Sequence, residues 1–221
     1  MSAGSSMLRN DHLLCERRGD VAYLTIDPHD LLDSADRLLR VEVRLAFSEL
    51  RADEKVLVVI LTGMNHEAFV RTNLQLEPRT LSASTARAPM RTLLDLIVKL
   101  GKPIVLAIDG LSSGYCCEIA MACTCRIATD TALFDLSGLE EWPIRYETLS
   151  ACDAHGLGLV DEIVPPTELR ERTEAIAREI AASPPIAERY AREATHRCLG
   201  KRLAKTDAAL WRTGWREPHL S

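Results

Sequence analysis

No stretch of the 221-residue chain stays apolar for the ~18 residues that a membrane-crossing helix needs. The densest runs are "VLVVIL" (56–61) and "IVLAI" (104–108), so no membrane partner is expected. The first twenty residues, "MSAGSSMLRNDHLLCERRGD", lack the apolar core of a signal peptide, and a cytoplasmic location is expected. There is no basic block and no interleaving of aromatic with basic residues. With a net charge of −5 and a pI of about 5.7, nucleic acid is not an expected partner. The late basic stretch "RYAREATHRCLGKRLAK" (189–205) reads either as a solvated helix face or as a rim that attracts a phosphorylated ligand. None of the seven cysteines has C-x2-C spacing. Cys116, Cys117 and Cys123 fall in an apolar helix, so thiols that pack rather than bind metal are expected. Internal repeats and low-complexity linkers are also lacking.

What is present is an alternation of strands and helices, which predicts an α/β fold. "VAYLTI" (21–26) is a strand. Residues 34–54 have helical spacing, with Leu38, Leu39, Val43, Leu45, Ala46 and Leu50 on one stripe and Ser34 as N-cap. "KVLVVILTG" (55–63) is a strand buried on both faces. Residues 64–87 are irregular. A helix over 90–100 is followed by the strand "PIVLAID", a turn, and a second helix starting near Gly114. "CRIATDTALFDL" (125–136) gives two short strands. Residues 137–158 are poorly patterned, 159–165 contain another strand, and the rest is helical to about Arg212 with a break at "SPP" (183–185). His66 and His155 are read as loop residues, and Trp142, Trp211 and Trp215 as packing or subunit contacts.

One segment asks for an explanation. "IDGLSSGYCCEIAMAC" (108–123) holds a single carboxylate, Glu118, among residues suited to a core. Buried carboxylates are rare unless paired or used. Glu118 is therefore either a first-turn acid that complements the helix dipole, or a group placed in an apolar pocket. In such a pocket desolvation raises its pKa and suits it to proton transfer near neutrality.

Several motifs in register carry a resemblance: "VVILTG", "EAFV", "GKPIVLAIDG", "SSGYCCEIAMACTCRIAT", "ALFDL" and "GLGLVDEIVPP". Over roughly residues 12–200 the chain resembles the crotonase (enoyl-CoA hydratase/isomerase) superfamily. The resemblance implies a crotonase-like spiral of ββα units with a C-terminal helical region. It divides the chain into a core over 1–165, with 1–11 disordered, and a helical trimerisation region over 166–221. Trimers or hexamers are implied, as is a thioester substrate presented by coenzyme A or a carrier protein, with no further cofactor and no metal.

Two backbone N–H groups would form an oxyanion hole for the thioester carbonyl. The resemblance assigns one to Tyr115, preceded by Gly114, and the other to Thr72 in the loop after Ala68–Phe69. Arg71 and Thr72 stand there in place of small residues. Ala68, Phe69, Arg71 and Gly114 are thereby implied in thioester binding. Glu118 matches the first catalytic glutamate of the hydratases. The second should fall at position 138, which is glycine; Glu140 and Glu141 lie close by, with Asp135 a weaker stand-in, and as a solvated pair they have no such role. The activity implied is hydration or dehydration of an acyl thioester through an enolate, with Glu118 as acid/base. Double-bond isomerisation and decarboxylation use the same enolate. The missing glutamate and altered loop equally suit an auxiliary subunit of a biosynthetic synthase without turnover of its own.

Overall fold

The computed structural model describes residues 5–9, 13–26, 37–62, 70–72, 83–113, 115–136 and 148–183. In chain order these form β1 (Ser5–Arg9), β2 (Leu13–Arg18), β3 (Val21–Ile26), α1 (Arg37–Ala52), β4 (Val58–Thr62) and β5 (Val70–Thr72). There follow α2 (Ala83–Leu100), β6 (Ile104–Ser113), α3 (Tyr115–Ala122), β7 (Cys125–Thr129) and β8 (Leu133–Asp135). The series ends with β9 (Leu149–Ser150), α4 (Ala151–Gly156), β10 (Glu162–Val164) and α5 (Leu169–Ala181).

A mixed sheet of order β1-β2-β3-β4-β6-β7-β10 organises the chain. The first strands pair antiparallel through β1–β2 and β2–β3, and from β3 onward neighbours run parallel. Gly19, at φ 66°, supplies the positive φ of the two-residue turn between Arg18 and Val21. The parallel strands are apolar on both faces because both are covered. Val59, Leu61, Leu106 and Ile108 pack with α1, α2 and α3 on one face. Val58, Ile60, Val105, Ala107 and Ile127 pack beneath α5 on the other. The continuous run at 55–63 thus sits as read, between two layers.

Several readings need correction. Residues 5–9 are not disordered: Ser5–Arg9 is an edge strand held by pairing to β2, with a register shift between Ser6 and Leu8. Leu45 is 50% exposed, and Phe47 takes the core place beside Val43, Ala46 and Leu50. Position 45 lies on the far side of the helix from the stripe of Val43, Ala46, Phe47 and Leu50, on the solvent face where Val41 is exposed as well. Helix α2 begins at Ala83 rather than 90, and β5 lies inside the segment read as irregular. Within the segment read as poorly patterned lie β9 and α4. His155 is an exposed residue of α4, not of a loop; His66 and the tryptophans lie outside the described residues. Of the helical region expected over 166–221, the described part is α5, which packs on this chain's own sheet. Among the described residues no helix is long and apolar enough to cross a membrane.

Two observations carry predictions about stability. Lys102, half-buried, sends its Nζ to the carbonyls of Leu50 (2.5 Å) and Asp53 (2.6 Å), closing the C-terminus of α1. The Leu50 carbonyl is among the last of the helix, which lack intrahelical partners, the Asp53 carbonyl just beyond the helix also accepts the Val56 N–H (3.0 Å), and the cation meets the negative end of the dipole. Burial lowers the Lys102 pKa, and Asp53 and Glu54 oppose that shift. Lys102→Met is expected to cost about 2 kcal/mol and to lower Tm by roughly 4–8 °C, read by calorimetry.

Cys15 and Cys125 are buried, as are Cys117 and Cys123. Burial, reinforced by Glu49 and Glu16 at Cys15 and by Asp161 at Cys125, pushes the Cys15 and Cys125 thiols from 9.0 to about 12. The folded state therefore keeps protons that the unfolded state releases. The stabilisation is complete below about pH 9 and is lost as pH rises toward 12. By pH 10 the loss should be on the order of 1 kcal/mol per thiol. Denaturant titrations at pH 8 and pH 10 should show a smaller drop for Cys15→Ala/Cys125→Ala than for wild type; equal drops would contradict the assignment.

Candidate active site

Strand β6 builds the site. Over Val105–Ile108 its register partners on one flank are Cys125–Ala128 of β7. On the other flank it pairs first with β4, through Ile104–Leu106, and then with β5, through Ile108–Gly110. β4 and β5 therefore occupy one flank in succession, and residues 63–69 connect them. At Gly110 the backbone takes φ 75°, which costs glycine little and other residues more. Beyond it, Leu111–Ser113 pair in parallel with Leu133–Asp135 of β8. The strand that was expected to end near Asp109 thus runs on to Ser113, and α3 starts two residues later at Tyr115.

Helix α3 is nearly all core. Cys117, Ile119, Ala120 and Ala122 are buried, and Met121 is half-buried. The Cys117 thiol donates to the Ser112 carbonyl (3.2 Å) and lies 3.7 Å from the Asp135 carbonyl, tying the helix to β6 and β8. Glu118 is the fourth residue of this helix, and helical spacing sets it on one side with positions 121 and 122. Tyr115 opens the helix, so its N–H is among those with no partner inside it, at the positive end of the dipole. An anion forming there meets donors already in place.

The strand-side donor needs correction. Ile104 faces β7: its N–H reaches Thr124 Oγ1 (3.1 Å) and its carbonyl accepts the Thr124 N–H (2.9 Å). Pro103 faces the other way, its carbonyl accepting the Val59 N–H (2.9 Å). Alternation along β6 then turns Asp109 toward β5. With Arg71 level with Asp109, a parallel ladder takes the N–H of Thr72 onto β6 and turns that of Arg71 to the outer flank. The Thr72 N–H expected in the oxyanion hole is thus committed to the sheet. For Arg71, Thr72, Tyr115 and Glu118 the structure describes the backbone; Ala68, Phe69, Gly114, Gly138, Glu140 and Glu141 lie outside the described residues.

A polar group that sequence reasoning missed sits beside β5. Thr129, fully buried at the end of β7, donates its hydroxyl to Asp109 Oδ1 (2.7 Å), and Thr131 lies 3.1 Å from the same hydroxyl. The Thr129 hydroxyl has a single proton, so Thr131 donates to it in turn. The signal was a polar residue closing each of two apolar strands, "IVLAID" and "CRIAT".

Comparison with known proteins gives the family. The family model for enoyl-CoA hydratase/isomerase matches residues 16–141, more than half of the chain. The chain belongs to the enoyl-CoA hydratase/isomerase family. It is 26% identical over 213 residues to the short-chain-enoyl-CoA hydratase of Clostridium acetobutylicum, covering 85% of this chain and 82% of that one. It is 27% identical over 208 residues to the (E)-benzylidenesuccinyl-CoA hydratase of Thauera aromatica, covering 82% and 80%. The crystal structure of enoyl-CoA hydratase from Mycobacterium smegmatis superposes with a TM-score of 0.64 at 22% identity, covering 90% of this chain and 94% of that one. The fold is the mixed α/β crotonase-like fold.

Proposed function

We propose that the chain is an acyl thioester hydratase or dehydratase that works through a thioester enolate. The observation that carries this reading is the start of α3. There an N–H without an intrahelical partner, at Tyr115, and a carboxylate-bearing position three residues on, at Glu118, stand where β6 ends beside β8. Relatives of the same family are named as hydratases of short-chain enoyl-CoA and benzylidenesuccinyl-CoA. In the proposed reaction the thioester carbonyl receives the Tyr115 N–H and a second donor from the outer flank of β5, where the N–H of Arg71 is turned. Each preset donor of this kind is commonly worth on the order of 10²–10³ in rate. Glu118 moves the proton at the α-carbon, and Glu140 or Glu141 would supply the second carboxylate that hydration uses.

Gly138, where the family pattern has that second glutamate, supports a second reading: an auxiliary subunit that binds the thioester without turning it over. Solvent deuterium exchange at the α-carbon of a panel of acyl-CoA thioesters, run beside hydration of the matching enoyl-CoA thioesters, separates the two. Exchange with hydration supports the hydratase, and exchange alone moves the assignment to isomerase or decarboxylase. Binding with neither supports the auxiliary subunit.

A further inference from the structure

The three β5 rungs hang on Ile108, Asp109 and Gly110 of β6, yet the register of β6 with β7 ends at Ile108 with Ala128. Two residues later Gly110 turns at positive φ and β6 leaves for β8. At the level of Asp109 the described tie between β6 and β7 is therefore a side-chain one, the 2.7 Å bond from Thr129. Asp109 and Thr129 extend the alternation of Val105, Ala107, Cys125 and Ile127, so the bond lies on the α5 face of the sheet. The other face carries α3. A residue placed this way touches no reacting atom but fixes the strand beside it.

We propose that Asp109, held by the Thr131–Thr129 hydroxyl relay, is a positioning residue that sets β5 and thereby the strand-side oxyanion donor. The bond replaces the backbone pairing that β6 lacks past Ile108, at the point where the chain would otherwise splay. This rests on the reading of β5 as donor carrier given above. Thr129→Val keeps shape and removes the proton donor; Asp109→Ala removes the acceptor; Asp109→Asn keeps an acceptor oxygen.

Amide hydrogen exchange at Thr72 and at Asp109 provides a readout independent of turnover. Both amides are expected to exchange faster in Thr129→Val and Asp109→Ala, close to wild type in Asp109→Asn, and unchanged in Lys102→Met, a control for general loss of stability. In the turnover assay Thr129→Val and Asp109→Ala should lower kcat about 10- to 100-fold with KM little changed, and the double variant should be no worse than either single one. Unchanged exchange at Thr72 in both variants would overturn the proposal, as would exchange that rises equally in Lys102→Met. Faster exchange in a protein whose wild type turns over no thioester would leave the clamp standing and remove the hydratase reading instead.

Discussion

Glu118→Gln is expected to lower both α-proton exchange and hydration by about 10²–10⁴-fold while leaving the binding of a saturated acyl-CoA unchanged. The amide has nearly the volume and shape of the acid, so the apolar set around α3, with Cys117, Ile119, Ala120 and Ala122 buried, has no reason to repack. What the substitution removes is the ability to take and return a proton. The proposed oxyanion donors are backbone groups that the substitution does not touch, so a residual rate above that in water is part of the expectation. The split matters more than the size of the drop. Loss of kcat with retained binding identifies proton transfer, whereas loss of binding alone would make position 118 a packing site. Full activity in Glu118→Gln would remove the assignment and turn attention to Glu140 and Glu141.

The strands were legible wherever burial on both faces forces an unbroken apolar run, as at Val58–Leu61 and Ile104–Ile108. Helix α1 was legible through its stripe, apart from Leu45, which lies on the opposite, solvent face. What escaped was structure that owes its existence to distant partners. β5 is three residues, Val70-Arg71-Thr72, with no pattern of their own; it is a strand because Ile108–Gly110 pair with it. β1 is likewise defined by β2. Helix α4 did carry a local signal: Ser150 and Asp153 form a capping box, with the Asp153 N–H on Ser150 Oγ at 3.1 Å and the Ser150 N–H on Asp153 Oδ2 at 3.3 Å. Near the proposed site, the sequence placed a helix start near Gly114, and α3 opens at Tyr115. It could not tell which N–H of β5 faces outward, because that parity is set by Pro103 and Ile104 against β4 and Thr124, a relation between strands rather than within one.

Asp161→Ala should be the most destabilising single change outside the hydrophobic core, at about 3 kcal/mol, with a fall in Tm of roughly 6–12 °C. Arg126 lies in β7 with its side chain 4% exposed. Its Nε and Nη2 donate to the two Asp161 oxygens at 2.9 and 3.0 Å, and its own backbone N–H donates to Oδ2 at 2.8 Å. The Asp161 N–H returns a bond to the Arg126 carbonyl at 2.9 Å, so one residue closes β7 onto the start of β10. Removing the carboxylate leaves a guanidinium in the sheet with no counter-charge among the described residues, and takes away the acceptor of the Arg126 backbone N–H. Removing the cation is the lesser injury, because Asp161 is 36% exposed and water can take its oxygens. The order expected in denaturant titrations is therefore Arg126→Met milder than Asp161→Ala, with the double variant recovering part of the loss. A double variant that unfolds more readily than Asp161→Ala would mean that Arg126 stabilises the sheet mainly by packing its aliphatic stem, and that the ion pair is secondary.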